Sequence, residues 1–188
     1  MSASPIAPSP DDPATGVAMR AIASYQQLAA YNAWANARLY DAAAALGPEL
    51  CAKPMGAFFG SVIATLNHLV VTDRIWLSRL EASGTPQPAL DTMLETDLTA
   101  LRALRATEDA RLLAFTDRLD ATRLAAPVVY ANSSGRSFSQ SCASALDHLF
   151  NHETHHRGQV HTLLTQLGGR AAAPSLDLVA FQREQGLA

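Results

Sequence analysis

Four stretches of helical apolar spacing, three of them closed by a glycine stop, constrain this 188-residue chain to pack helix against helix. From about Val17 to Leu46, the positions Leu28, Tyr31, Ala35, Leu39 and Ala42 recur at the helical period, and Gly47-Pro48 ends the run. A second helix is expected from about Ser61 to Ser83, ending before Gly84-Thr85-Pro86. A third covers about Thr92 to Leu119. Its Leu94, Leu98, Leu101, Leu104, Leu112, Phe115 and Leu119 lie mostly along one face, while Arg102, Arg105, Glu108 and Asp109 supply charge. The fourth starts near Ser139 to Ser141, where a serine can cap it, and ends at Leu167 before Gly168-Gly169.

Between the third and fourth helices the texture changes. Pro127-Val128-Val129-Tyr130, the turn-forming Asn132-Ser133-Ser134-Gly135 and then Arg136-Ser137-Phe138 read as a β-hairpin or an extended crossover. A short C-terminal helix is expected around Leu176 to Gln185. Residues 1–16 read as a disordered tail, because proline recurs there and little could be buried. Residues 17–188 read as a single domain. The expected fold is an all-α four-helix bundle with a crossover before its last long helix.

Several classes of function drop out on charge and hydropathy. The net charge is −3, so no basic face is available to neutralise nucleic-acid phosphates. No apolar run approaches the roughly 20 residues that span a bilayer, and the N-terminus lacks the basic start and apolar core of a secretory signal. The two cysteines, Cys51 and Cys142, form no disulfide framework and suit a reducing cytoplasm.

The chemistry lies in the histidines. Four of the six fall in His148-Leu-Phe-Asn-His152-Glu153-Thr-His155-His156. Residues four apart stack on one helix face, so His152 and His156 can aim at one point. On the helical wheel they share the side of Ala145, Leu149, Leu163 and Leu167, while His148 and His155 flank them and His161 faces away. Such a pair plus a ligand from another helix is a common way to hold zinc, nickel or a related metal. His68 is the one histidine outside the fourth helix and supplies that third ligand. Three neutral imidazoles leave coordination positions open, the pattern of a catalytic site. The bland alternative is a set of hydrogen-bonded core histidines. Cys142 lies too far along the helix from His152 to share the ion.

His152-Glu153-Thr154-His155-His156 also fits His-Glu-x-x-His, in which the glutamate is the general base of a zinc protease. The extended form fails, because Gly158 and His161 each miss their required position by one. Glu153 then reads as a surface charge or as a partner of the ligands.

These motifs resemble those of the DinB-like family of bacterial four-helix bundles. The resemblance runs from about Ile22 to the C-terminus. It rests on Tyr31-Asn-Ala-Trp34-Ala-Asn36-Ala-Arg38-Leu39, on Leu66-Asn-His68-Leu with Asp73 and Trp76, on Asn151-His152-Glu-Thr-His155-His156-Arg157-Gly158-Gln159-Val160, and on Pro174-Ser-Leu-Asp177. It implies metal ligation by His68, His152 and His156, nickel or zinc as the metal, and a homodimer. It also implies, through the family's thiol-using members, a low-molecular-weight thiol as cosubstrate. Trp34 and Trp76 read as core or dimer-contact residues and Arg157 as a solvated charge or an anion contact. Gly158 reads as a point of close backbone approach, and Asn36 and Gln159 as helix contacts or ligand-orienting groups.

Two functional expectations follow. One is a metal-dependent hydrolase or thiol S-transferase acting on a small electrophilic molecule, its catalytic residues beyond the ligands unknown. The other is a non-catalytic homodimeric stress-response or binding module with a structural or vestigial metal site.

Overall fold

In the computed structural model, which describes residues 13–132 and 134–188, helix α1 (Pro13–Leu46) buries Tyr25, Ala29, Asn32, Asn36, Leu39 and Ala43. Their alternating steps of four and three are the seam of a helix packed in a bundle. The single turn α2 (Pro48–Ala52) follows Gly47, whose φ of 89° a side chain would strain. Helix α3 (Val62–Leu80) is capped by Ser61, whose side chain accepts from the Ala64 N–H at 3.3 Å. Asp97 caps α4 (Leu98–Asp117) in the same way, and Asp120 caps the short α5 (Ala121–Ala125). Strands β1 (Pro127–Ala131) and β2 (Ser137–Ser141) form an antiparallel hairpin in which Tyr130 faces Phe138. Ser141 caps α6 (Cys142–Gly168), as its serine suggested. A 3-10 turn (Arg170–Ala172) and α7 (Leu178–Glu184) complete the chain.

Side-chain partners fix the helix directions. Helix α1 packs on α4 and α6, and α3 packs on the same two. Asp73 meets Arg105 and Glu81 meets Arg111, so α3 and α4 run parallel. Trp76 lies against His148 and His68 against His152, so α3 and α6 run antiparallel. Asp41 meets Arg102 and Gln26 meets Thr116, which makes α1 antiparallel to α4. Tyr25 meets Asp147 and Asn32 meets Arg157, which makes α1 parallel to α6. The bundle is therefore up-down-down-up.

Parallel neighbours need a long return, and residues 81–97 provide it along the flank of α3. The expected start of the third long helix at Thr92 is thus early. The buried Asn67 explains the difference. Its Oδ1 accepts from the N–H groups of Leu94 and Glu95 at 2.7 and 3.0 Å, and its Nδ2 donates to Glu95 O at 2.9 Å. Those backbone groups are satisfied without a helix. Most of the expected tail lies outside the described residues, although Pro13 to Gly16 already belong to α1.

Two apolar clusters fill the bundle. One gathers Trp76, Leu77, Leu112, Phe115, Leu146 and Leu149; the other gathers Leu39, Leu66, Leu69, Leu101, Val160 and Leu164. A polar belt separates them. Arg105 Nη2 lies 2.5 Å from Asp73 Oδ2, and Arg105 Nε lies 3.2 Å from Asp109 Oδ1. Asp109 Oδ1 also accepts from Asn32 and Asn36 at 3.2 and 3.0 Å. Arg157 donates to Asn32 and pairs with Glu153 at 3.4 Å. All four long helices contribute. Arg105, Glu108 and Asp109, the charges that the sequence sets beside the apolar face of the third long helix, are buried, as are Glu153 and Arg157. Apolar periodicity cannot reveal charges that neutralise one another across the bundle.

Candidate metal centre

The belt sets the rotation of α6, and that rotation places the histidines. Glu153 at 0% and Arg157 at 2% exposure point to the bundle axis. His152 and His156 each precede one of them by one residue, which turns them about 100° away. They therefore face the seam between α6 and α3. His156 is buried and His152 half-buried, so the inward direction read from the wheel is off by one position. Antiparallel packing then brings His68 from α3 to the same seam.

The three ring nitrogens offered by His68, His152 and His156 lie within 4.8 Å of one another. His68 Nδ1 is 2.8 Å from Leu90 O, and His156 Nδ1 is 2.7 Å from Gln159 Oε1. A carbonyl oxygen can only accept, so each Nδ1 carries the proton and each Nε2 turns a bare lone pair to the centre. His68 Nε2 and His152 Nε2 stand 3.2 Å apart. Two nitrogens on one tetrahedral ion, each about 2.0–2.1 Å from it, would stand roughly 3.3 Å apart. The residues present fit a divalent transition-metal ion.

Electrostatics favours the ligating form. Burial is the leading cause that lowers the basicity of all three imidazoles, and His152 is pulled down to about 3 by burial and then by its imidazole neighbours. At neutral pH the rings are uncharged with free lone pairs. Phe59 stacks on His68 with centroids 3.8 Å apart and shields that ring from water.

On its open side the triad meets a cleft of about 980 Å³ between α3, α6, the 81–97 connection and the hairpin. His68 and His152 line it, with Trp76, Arg79, Leu90, Tyr130 and His148 among the other walls.

The remaining candidates separate from the site. His148 and His155 are exposed at its edges, and His161 lies further along α6 outside the triad. Burial lifts Glu153 well above the ordinary carboxylate range, helped by neighbouring Asp73. It is thus neither a surface charge nor a base within the cleft. Arg157 is neither solvated nor an anion contact, since it lies in the belt. Gly158 is exposed and a Cβ there would meet nothing within 4 Å, so among the described residues no backbone approaches it. Asn36 makes a helix contact through Asp109, whereas Gln159 holds the His156 ring at Nδ1. Trp76 is a core residue on the cleft wall, and Trp34 packs on Phe181 of α7. Cys142 is buried in the apolar cluster beside Trp76, and burial raises both thiols above their ordinary value. Leu90 O, Phe59 and Arg79 carried no sequence signal, because loop carbonyls and lone side chains show no period.

No helix among the described residues is long and apolar enough to cross a membrane. A model described as the DinB family matches residues 19–186. The chain is 25% identical over 158 residues to Protein DinB of Bacillus subtilis (strain 168), covering 80% of this chain and 90% of that protein. No solved structure matches significantly.

Proposed function

This chain belongs to the DinB family, and from that premise and its histidine geometry we propose a metal-dependent enzyme that directs a thiol or water at a small electrophile. The observation that carries this reading is the convergence of three Nε2 lone pairs, two of them fixed by Nδ1–H bonds to Leu90 O and Gln159 Oε1, at the foot of an open cleft. Nickel or zinc suits three imidazoles. When bound, such an ion lowers the pKa of a thiol or water at its open position and so supplies a nucleophile at neutral pH.

The chain's own groups do the rest. Leu90 and Gln159 hold two ligand rings in register, Phe59 keeps water off one face of His68, and the cleft admits the substrate. Both cysteines are buried and their thiols are disfavoured as thiolates, so a thiol nucleophile comes from outside as cosubstrate. The polar belt ties α1, α3, α4 and α6 without the histidines, which favours a catalytic over a purely structural ion.

Metal content by mass spectrometry tests the site. About one equivalent per chain is expected after reconstitution with nickel or zinc, and none in a folded His152→Ala/His156→Ala variant. Metal retained by that variant, or refused by the parent protein, ends this reading. The loaded protein is then assayed with low-molecular-weight thiols and activated esters or amides. Failure on both nucleophiles removes the enzymatic part.

A further inference from the structure

Among the described residues, no carboxylate lines the cleft above the histidines, and Arg79 is the one arginine or lysine in its walls. The Arg79 guanidinium carbon lies 4.6 Å from the ring centroid of Trp76 and 4.1 Å from that of Tyr130. Cation–π contact uses the faces of the group and leaves its N–H edges available. Among the described residues no carboxylate lies within ion-pair distance of it. The part-buried Arg74 and Arg111 differ, since each holds a glutamate, at 2.8 and 2.6 Å. A half-buried charge without a counter-charge is costly to keep. A fork held rigid by two rings is suited to an oxyanion.

We infer that Arg79 anchors an oxyanion of the substrate or cosubstrate, whose other end reaches the three histidines. The inference rests on the metal-site reading above and adds to it the ligand's charge and length. Arg79 and His68 are eleven residues apart on α3, about 16 Å along the axis, and helical side chains lean toward the N-terminus. Trp76 and His148 bridge the interval, with centroids 4.6 Å apart, and His148 is 5.9 Å from His152. The cleft therefore takes an elongated molecule with a metal-directed group at one end and a carboxylate, sulfonate or phosphate on the order of 10 Å away.

The test is calorimetry on the zinc-loaded protein. The probes are ω-mercaptoalkanoic acids of increasing length, each beside the uncharged ω-mercaptoalkanol of equal length. At an intermediate length the acid should bind about tenfold or more tightly than the alcohol, as a hydrogen bond to a charged group implies. In Arg79→Gln that ratio should fall to about one, with alcohol binding unchanged. Acid and alcohol binding equally at every length, or a preference that survives Arg79→Gln, overturns the anchor and leaves the metal site standing. If zinc is held and neither thiol binds, linear dicarboxylates replace them, one carboxylate standing in for the thiolate. Binding lost in Arg79→Gln then keeps the anchor and removes the thiol; no binding, or binding that survives Arg79→Gln, removes the anchor.

Discussion

Gln159 Oε1 lies 2.7 Å from His156 Nδ1, and the Nε2 of the same amide lies 3.2 Å from His155 Nε2. With its oxygen toward His156, one side chain places the proton of that ring on Nδ1, while its amide nitrogen meets the exposed His155. Exposed His155 has its place in the site at one remove.

Gln159→Leu should weaken metal binding about 10- to 100-fold, as loss of an orienting partner does. Competition with a chromogenic chelator measures it. The metal-free melting temperature should hardly move, since the belt and both apolar clusters are untouched. Unchanged affinity would leave the amide no part in orienting the ring.

The metal-free protein should lose stability in acid through its ligand histidines. Their folded-state pKa values lie below the ordinary one, so the unfolded chain takes up protons first as pH falls. Their contribution is complete above about pH 6.5 and is lost as pH falls, for His152 over the range down to about 3. Thermal melts between about pH 7 and pH 4 should show a falling midpoint, and His152→Asn should flatten the slope. Equal slopes in both proteins would refute the assignment.

Glu153→Gln should be tolerated at neutral pH, within about 1 kcal/mol by urea denaturation. Glu153 Oε1 has no donor to accept from, and a proton gives the carboxyl a hydrogen bond to donate to Asp73. Protonation also leaves the guanidiniums of Arg105 and Arg157 facing the carboxylates of Asp73 and Asp109. Removing a charged partner is another matter: Arg105→Met should cost about 3–5 kcal/mol by stranding Asp73. Severe destabilisation by Glu153→Gln would mean that an ionised carboxylate is needed there. The substitution should also leave metal content unchanged.

Asn67→Ala should free the 81–97 connection. It strips acceptors from two backbone N–H groups and a donor from Glu95 O, at about 1–3 kcal/mol for each group left buried and unsatisfied. Hydrogen exchange at Leu94 and Glu95 should accelerate more than exchange in α1. Metal affinity should fall as well, because Leu90 O on this connection holds His68. Exchange no faster than in the parent would show that the connection is held elsewhere.

Helical period, stops and caps were legible residue by residue. Gly47-Pro48, Ser141 and Gly168-Gly169 mark boundaries through local backbone chemistry, and local chemistry is what neighbouring residues record. Asp97 is a cap of the same kind, but Leu94 before it extends the apolar pattern and masks it. The spacing of His152 and His156, with His68 the single histidine outside that helix, pointed to the three imidazoles that the fold brings together, because such a set needs only residue type and helical pitch. The parallel run of α3 and α4 left no such trace, and neither did the partners of Asn67 or the arginine fork between two rings.

The burial of Arg105, Asp109, Glu153 and Arg157 marks where sequence reading ends. Each alone belongs on a surface, since an isolated charge cannot leave water at tolerable cost. Four helices together change that, because each charge meets an opposite one or a hydrogen-bond partner 32 to 125 residues away in sequence, or one helical turn away. That pairing exists only once the bundle is assembled. It turns α6 so that its histidines face α3, and in doing so it converts a repeating pattern of residues into a site with a direction.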